Sequence, residues 1–142
     1  METAVVLPIF FTLIFAFIEF GHCFMSIHAM NSAARRAARV GVGEDATTAQ
    51  VVQTAKDILS SAIDVDNSSI TVMVKDASVF DDPEMDVDTL DYSQLNDVNI
   101  EDLNPRELFI VRIEVPYSEV GILGPRWVTN LDMFGQSVMR KE

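Results

Sequence analysis

The chain has a single cysteine, two histidines, and no lysine or arginine before Arg35. Each scarcity removes a class of function. With Cys23 alone, no intrachain disulfide can form, so stability cannot depend on an oxidising compartment. Cys23 reads as a small buried apolar residue of a helix. His22 and His28 stand on either side of it. The rest of the chain therefore cannot build a Ser-His-Asp or Cys-His nucleophilic site, nor a His-ligated zinc site. A glycine-rich loop of the phosphate-cradling pattern is also missing. Carboxylates are plentiful, but no signal of a rigid cleft accompanies them, so they are poor acid/base candidates. No enzyme activity and no cofactor is expected.

What is abundant is apolar residues at one end and acid at the other. The formal net charge is −12. Residues 1–43 hold two acids and three arginines, whereas residues 44–142 hold twenty acids and seven bases. An acidic portion of this kind is repelled by nucleic acid and by anionic lipid, so no nucleic-acid partner is expected.

From Thr3 to Ile18, sixteen residues carry no charge, and apolar character continues past Glu19 to Ile27 and Met30. A helix from Glu2 to Val42 would be about 60 Å long, twice the roughly 30 Å of a bilayer's hydrocarbon core. A cleavable signal would begin with basic residues and end in a small-residue cleavage site. Neither is found, so a retained apolar helix is expected. Pro8 lies inside it and removes a backbone donor, which implies a kink or a shortened first turn. Glu2 and Glu19 must find a partner, a proton or the interface. Glu19 reads equally as an interfacial residue or as a charge pairing across a helix bundle. Ala29, Ala33, Ala37 and Gly41 recur every four residues and form a small-residue stripe. That stripe suits close packing against the chain's own head, between subunits, or both.

Three runs in this region carry a family resemblance: Glu2-Thr-Ala-Val-Val-Leu-Pro8, Ile18-Glu-Phe-Gly21 and Asn31-Ser-Ala-Ala-Arg-Arg-Ala-Ala-Arg39. Their order and spacing resemble the opening of TadE-like pseudopilins of the tight-adherence (Tad/Flp) pilus system, within the type IV pilin superfamily. Beyond about forty residues the likeness is diffuse, resting on Val115-Pro-Tyr117 and the closing Val138-Met-Arg-Lys-Glu142. The resemblance implies processing by a prepilin peptidase, an inner-membrane anchor before assembly, and then an extracellular filament serving adhesion. Partners would be copies of the chain or other pilins, met through the N-terminal helix. The assembly residues so implied are Glu2, Pro8, Glu19, Ala29, Ala33, Ala37 and Gly41. Glu2 departs from the family pattern by standing three positions earlier than its early glutamate, which would meet a neighbouring subunit's N-terminal amine. The arginines after the span favour a cytoplasmic C-terminal side, while the resemblance implies an outside one, and the second is adopted here.

The residues after Val42 read as an α+β head. Gly41-Val-Gly43 closes the long helix. Thr47-Thr-Ala-Gln50 is a capping box, followed by Val51, Ala55, Ile58, Leu59 and Ala62 on one apolar helix face. Ile70-Thr-Val-Met-Val-Lys75 alternates as a strand, with Ile70, Val72 and Val74 on one side. Leu108–Val115 is the strongest strand, with Phe109, Val111, Ile113 and Val115 facing one way and Pro116 at its end. A third strand is expected around Phe134–Arg140. The architecture is therefore a lollipop-like helix, residues 1–43, and an acidic head, residues 44–142. In the head, one amphipathic helix covers a mainly antiparallel sheet of three or four strands.

Asp76 to Glu107 holds eleven acids and one base, Arg106. Asp81, Asp82, Glu84, Asp86 and Asp88 are spaced as calcium ligands could be, yet the glycine and closing glutamate of an EF-hand loop are missing. A solvated acidic loop is the expectation, and no metal. Asn67-Ser-Ser69 is a glycosylation triplet. Val120–Trp127 is either an exposed apolar patch or core. Two functions fit best: a pilin-like subunit of a filament or assembly complex, and a monomeric membrane-anchored binding module. A carboxylate hydrolase is remote.

Overall fold

The computed structural model describes residues 2–86, 90–122 and 131–142, with side chains from Val6 onward. Helix α1 runs Glu2–Gly41, 40 residues, or about 60 Å. Pro8 does not break it. Thr12 Oγ1 donates to the Pro8 carbonyl at 2.8 Å.

The end of α1 differs from expectation. No described glycine has positive φ, so the helix does not stop on a left-handed glycine. Gly41 is needed for space: a Cβ there would lie 3.1 Å from both the Phe109 ring and Val51 Cγ2. The carbonyls that follow are met from the other end of the chain. The Glu142 amide donates to Val42 O at 3.1 Å, and Lys141 Nζ donates to Gly43 O at 2.7 Å. Helix C-termini leave carbonyls without intrahelical partners, and these two contacts satisfy the region just past them.

Helix α2, Thr48–Ala62, starts at the expected capping box. Thr47 Oγ1 accepts from the Gln50 amide at 3.3 Å, and Gln50 Oε1 accepts from the Thr47 amide at 3.1 Å. Val51, Ala55 and Leu59 are buried, Ile58 is half-buried, and Ala62 is exposed. The apolar face therefore ends one turn earlier than the spacing implied. The reason is Ile63, whose extended backbone breaks the helix and returns its own side chain to the core.

Three antiparallel strands follow: β1 (Thr71–Asp76), β2 (Leu108–Pro116) and β3 (Asp132–Arg140), in spatial order β1-β2-β3. Strand β3 starts two residues before the expected point, and Met133 adds a buried side chain there. Register pairs Val74 with Val111 and Val111 with Ser137. Phe109, Val111, Ile113 and Val115 are all fully buried on one face, as the alternation requires. Helix α3, Tyr117–Val120, is a single turn after β2.

The core is not the head's alone. Ser26, Met30, Ala33, Ala34, Ala37 and Ala38 of α1 are fully buried, and the five apolar ones join Val51, Leu59 and Phe109 in one cluster. The second half of α1 is thus a wall of the head. It comes closest at β3, where a Cβ on Gly135 would sit 2.5 Å from Asn31 N and from Met30 C. The Gln136 amide also donates to Asn31 Oδ1 at 3.2 Å.

The opposite face of the sheet is covered too. Arg112 lies 4.0 Å over the Phe134 ring and 5.3 Å over the Tyr92 ring. Lys75, 6 % exposed, donates to Leu95 O at 2.9 Å and pairs with Asp97 at 3.0 Å. The acidic segment is therefore pinned to the sheet through Lys75 of β1 and Arg112 of β2. Glu101 anchors it at the other end, accepting from the Thr48 amide and hydroxyl at 2.8 Å. These bonds hold the exposed Glu101 carboxyl below the usual carboxylate range. In order, the layers are α1 with α2, the sheet, and the part of the acidic segment around Asp81 and Tyr92, while residues 96–103 follow the free edge of β1 to α2.

Candidate assembly surface

The first half of α1 leaves the head behind. Val6, Ile9, Phe10, Leu13, Phe17 and Phe20 are all at least half exposed. Val6–Gly41 qualifies, by length and composition, as a membrane-crossing helix. Transferring one such side chain out of water contributes about 1.5–3 kcal/mol. Half a dozen together are worth on the order of 10 kcal/mol, comparable with the 5–15 kcal/mol that holds a whole domain folded. Lipid or another apolar helix is the environment that this half requires.

Glu19 marks the junction. It is half-buried, and Tyr117 Oη donates to its Oε1 at 2.5 Å. The carboxylate is thus held by the head of its own chain. Of the two sequence readings, interface or bundle, neither anticipated this partner. Tyr117 is buried by Val120 and β2 neighbours in the same cluster. The hydrogen bond to Glu19, then burial, push its phenol well above the ordinary value. A folded-state value raised above the unfolded one stabilises in full below the unfolded value near 10. The contribution is lost as pH rises through the higher folded value. Tyr117→Phe is therefore expected to lower stability by on the order of 1 kcal/mol. In paired chemical melts the gap should be constant from pH 6 to 9. A variant as stable as the parent would mean that the bond contributes nothing.

The small-residue stripe is used inside the chain. Ala33, Ala37 and Gly41 are buried against α2 and the sheet, and Ala29 is half-buried. It therefore serves the first of the two uses that its spacing allowed. A groove of about 830 Å3 opens beside it, between Phe20, Cys23 and Ile27 of α1 and Tyr117, Met133 and Phe134 of the head.

The remaining face of α1 is basic. Arg35, Arg36 and Arg39 are exposed, on the side away from the buried alanines. The acidic segment is used piece by piece. Asp81 pairs with Arg140 at 2.6 Å, Asp82 accepts from the Glu84 amide at 3.0 Å, and Asp86 has a partner of its own. Among the described residues no group of three or more metal-binding side chains converges. Asp88, the Glu2 side chain, and residues 123–127 of the Val120–Trp127 patch lie outside the described residues. Asn67 is exposed in a turn.

No curated protein and no solved structure matches this chain. Its opening is different: residues 1–39, which carry the apolar stalk, the junction glutamate and the three arginines, match the family model of TadE-like protein.

Proposed function

We propose that this chain is a pilin-like subunit that is anchored in the inner membrane by α1 and assembles through that helix into an extracellular filament or its assembly complex. The family match and the apolar helix fit a pilin-like, membrane-anchored protein. The observation that carries the further step is the bare half of α1, whose apolar side chains the head leaves exposed. In a membrane lipid covers them, and after extraction only neighbouring helices can. In this reading Glu2, at the tip of α1, meets a neighbour's N-terminal amine, and the head faces outward. No catalytic role is proposed.

The test is a chain lacking residues 2–18, cut before Glu19 so that the contact with Tyr117 and the α1 wall are kept. In light scattering at about 1 M salt, where contacts between exposed charges are screened, it should be a soluble monomer. In cells it should be missing from the material sheared off the surface, where the full-length chain should be found. A truncated chain recovered in sheared filaments at parental levels would overturn helix-driven assembly. A full-length chain confined to the membrane would instead favour the single-span binding module.

A further inference from the structure

We infer that the arginine face of α1 docks onto the acidic outer face of a second copy of this chain. The observation is a separation of charge that one molecule cannot resolve. At 100° per residue, Arg35, Arg36 and Arg39 centre about 180° from the arc of Met30, Ala33, Ala34, Ala37 and Ala38, the buried side of α1. The acidic segment reaches the far side of the sheet around Asp81, which pairs with Arg140, and Tyr92, which lies under Arg112, whereas its residues 100–103 turn back to α2. Basic face, helix, sheet and acidic face are stacked in that order.

The bases that touch the sheet and the C-terminal end of α1 differ from these three, which share one helix face, whereas Lys56 and Arg106 stand singly. Lys75, Arg112 and Arg140 each hold a carboxylate, and Lys141 holds a carbonyl. Among the described residues Arg35, Arg36 and Arg39 make no such bond, in a chain of net charge −12. Anionic lipid is out of their reach. A span of about 20 residues from the start of α1 ends near His22. Arg35 is then about 20 Å further along the helix, well past a headgroup layer of roughly 6 Å and a Debye length of about 8 Å. An acidic protein surface at head height is what remains, and the outer face of another copy supplies one. Asp82 and Glu84 there are exposed.

Such a contact joins two different patches, front to back. It is heterologous, so it repeats from copy to copy rather than closing as a two-fold dimer. The inference rests on the assembly reading only for bringing copies side by side.

The experiment uses the full chain in an uncharged detergent, with sedimentation as the readout. At about 0.15 M salt, where screening still leaves contact pairs intact, the parent should self-associate, and about 1 M salt should disperse it. R35E/R36E/R39E and D82K/E84K should each associate at least about tenfold more weakly, since like charges then face one another. Mixed together, the two variants present opposite charges at both contacts and should associate as the parent does. Thermal melts of R35E/R36E/R39E should match the parent because its three positions are exposed, and D82K/E84K, which also loses the Asp82 bond to the Glu84 amide, should still melt as a folded head. A parent that stays monomeric overturns the inference, as do variants that associate normally or a mixture no better than its parts. Association that needs anionic lipid vesicles overturns it in favour of a membrane contact. If the charge rule holds in detergent but the chain never enters sheared filaments, the assembly reading fails and the contact stands. The reverse result removes the contact and leaves the assembly reading.

Discussion

Gly135→Ala is expected to lower head stability by about 3 kcal/mol or more, at the upper end of what overpacking does. The added methyl would meet Asn31 N and Met30 C at 2.5 Å and Met30 Cβ at 2.7 Å. Two of these atoms are helix backbone, so no rotamer change makes room. Either α1 moves off β3 or the strand does, and the Asn31 bond to the Gln136 amide goes with it. Domains of this kind hold only about 5–15 kcal/mol in total, so the loss is roughly a fifth to more than half of it. Urea unfolding of the chain in detergent reads the effect. Gly21→Ala is the control: nothing lies within 4 Å of its Cβ position on the exposed stalk. Alanine is the better helix former there, by up to about 1 kcal/mol. Equal midpoints for Gly135→Ala and the parent would mean that α1 does not touch β3 in solution.

Phe109→Ala should cost about 3–5 kcal/mol, the range for emptying a large aromatic site in a core. Phe109 is fully buried on the inner face of β2, and its ring closes against Gly41 and Val51. One side chain thus joins sheet, α1 and α2. The pair also supplies an internal check. Gly41→Ala alone puts a Cβ 3.1 Å from that ring, so the ring must give by a few tenths of an ångström. Added to Phe109→Ala, the same methyl enters vacated space and should cost less or even stabilise. Additive effects from the two sites would sink the claimed contact, because residues that touch are those that fail to add.

Much of this fold could be read from local pattern. The capping box at Thr47, the long apolar helix, and the alternation of Phe109, Val111, Ile113 and Val115 are short-range signals, and each element formed where they stand. The resemblance over the first forty residues was equally legible. What could not be read is what each surface meets. Ala29, Ala33, Ala37 and Gly41 announce a close approach, but spacing does not say whether the neighbour is α2, β3 or another chain. Glu19 and Tyr117 lie 98 residues apart in sequence, and no periodicity links them. The acidic segment looked like solvated loop because nearly all its carboxylates are exposed. Its attachment runs instead through Lys75, Tyr92 and Glu101, single residues that carry no pattern. Ala62 was misplaced because a helix face was extrapolated past the point where Ile63 turns the chain.

Because α1 passes from stalk to core as one helix, head and stalk share a single rotational phase. No swivel lies between the apolar residues around Phe20 and the buried ones from Ser26 on. One residue inserted between them would turn the head by about 100° about the stalk and lift it by 1.5 Å. Two would point the arginines almost where the acidic face now points. The length of a short stretch of α1, counted in residues, therefore acts as an angular setting. It fixes which way each charged face looks once the apolar half has been seated.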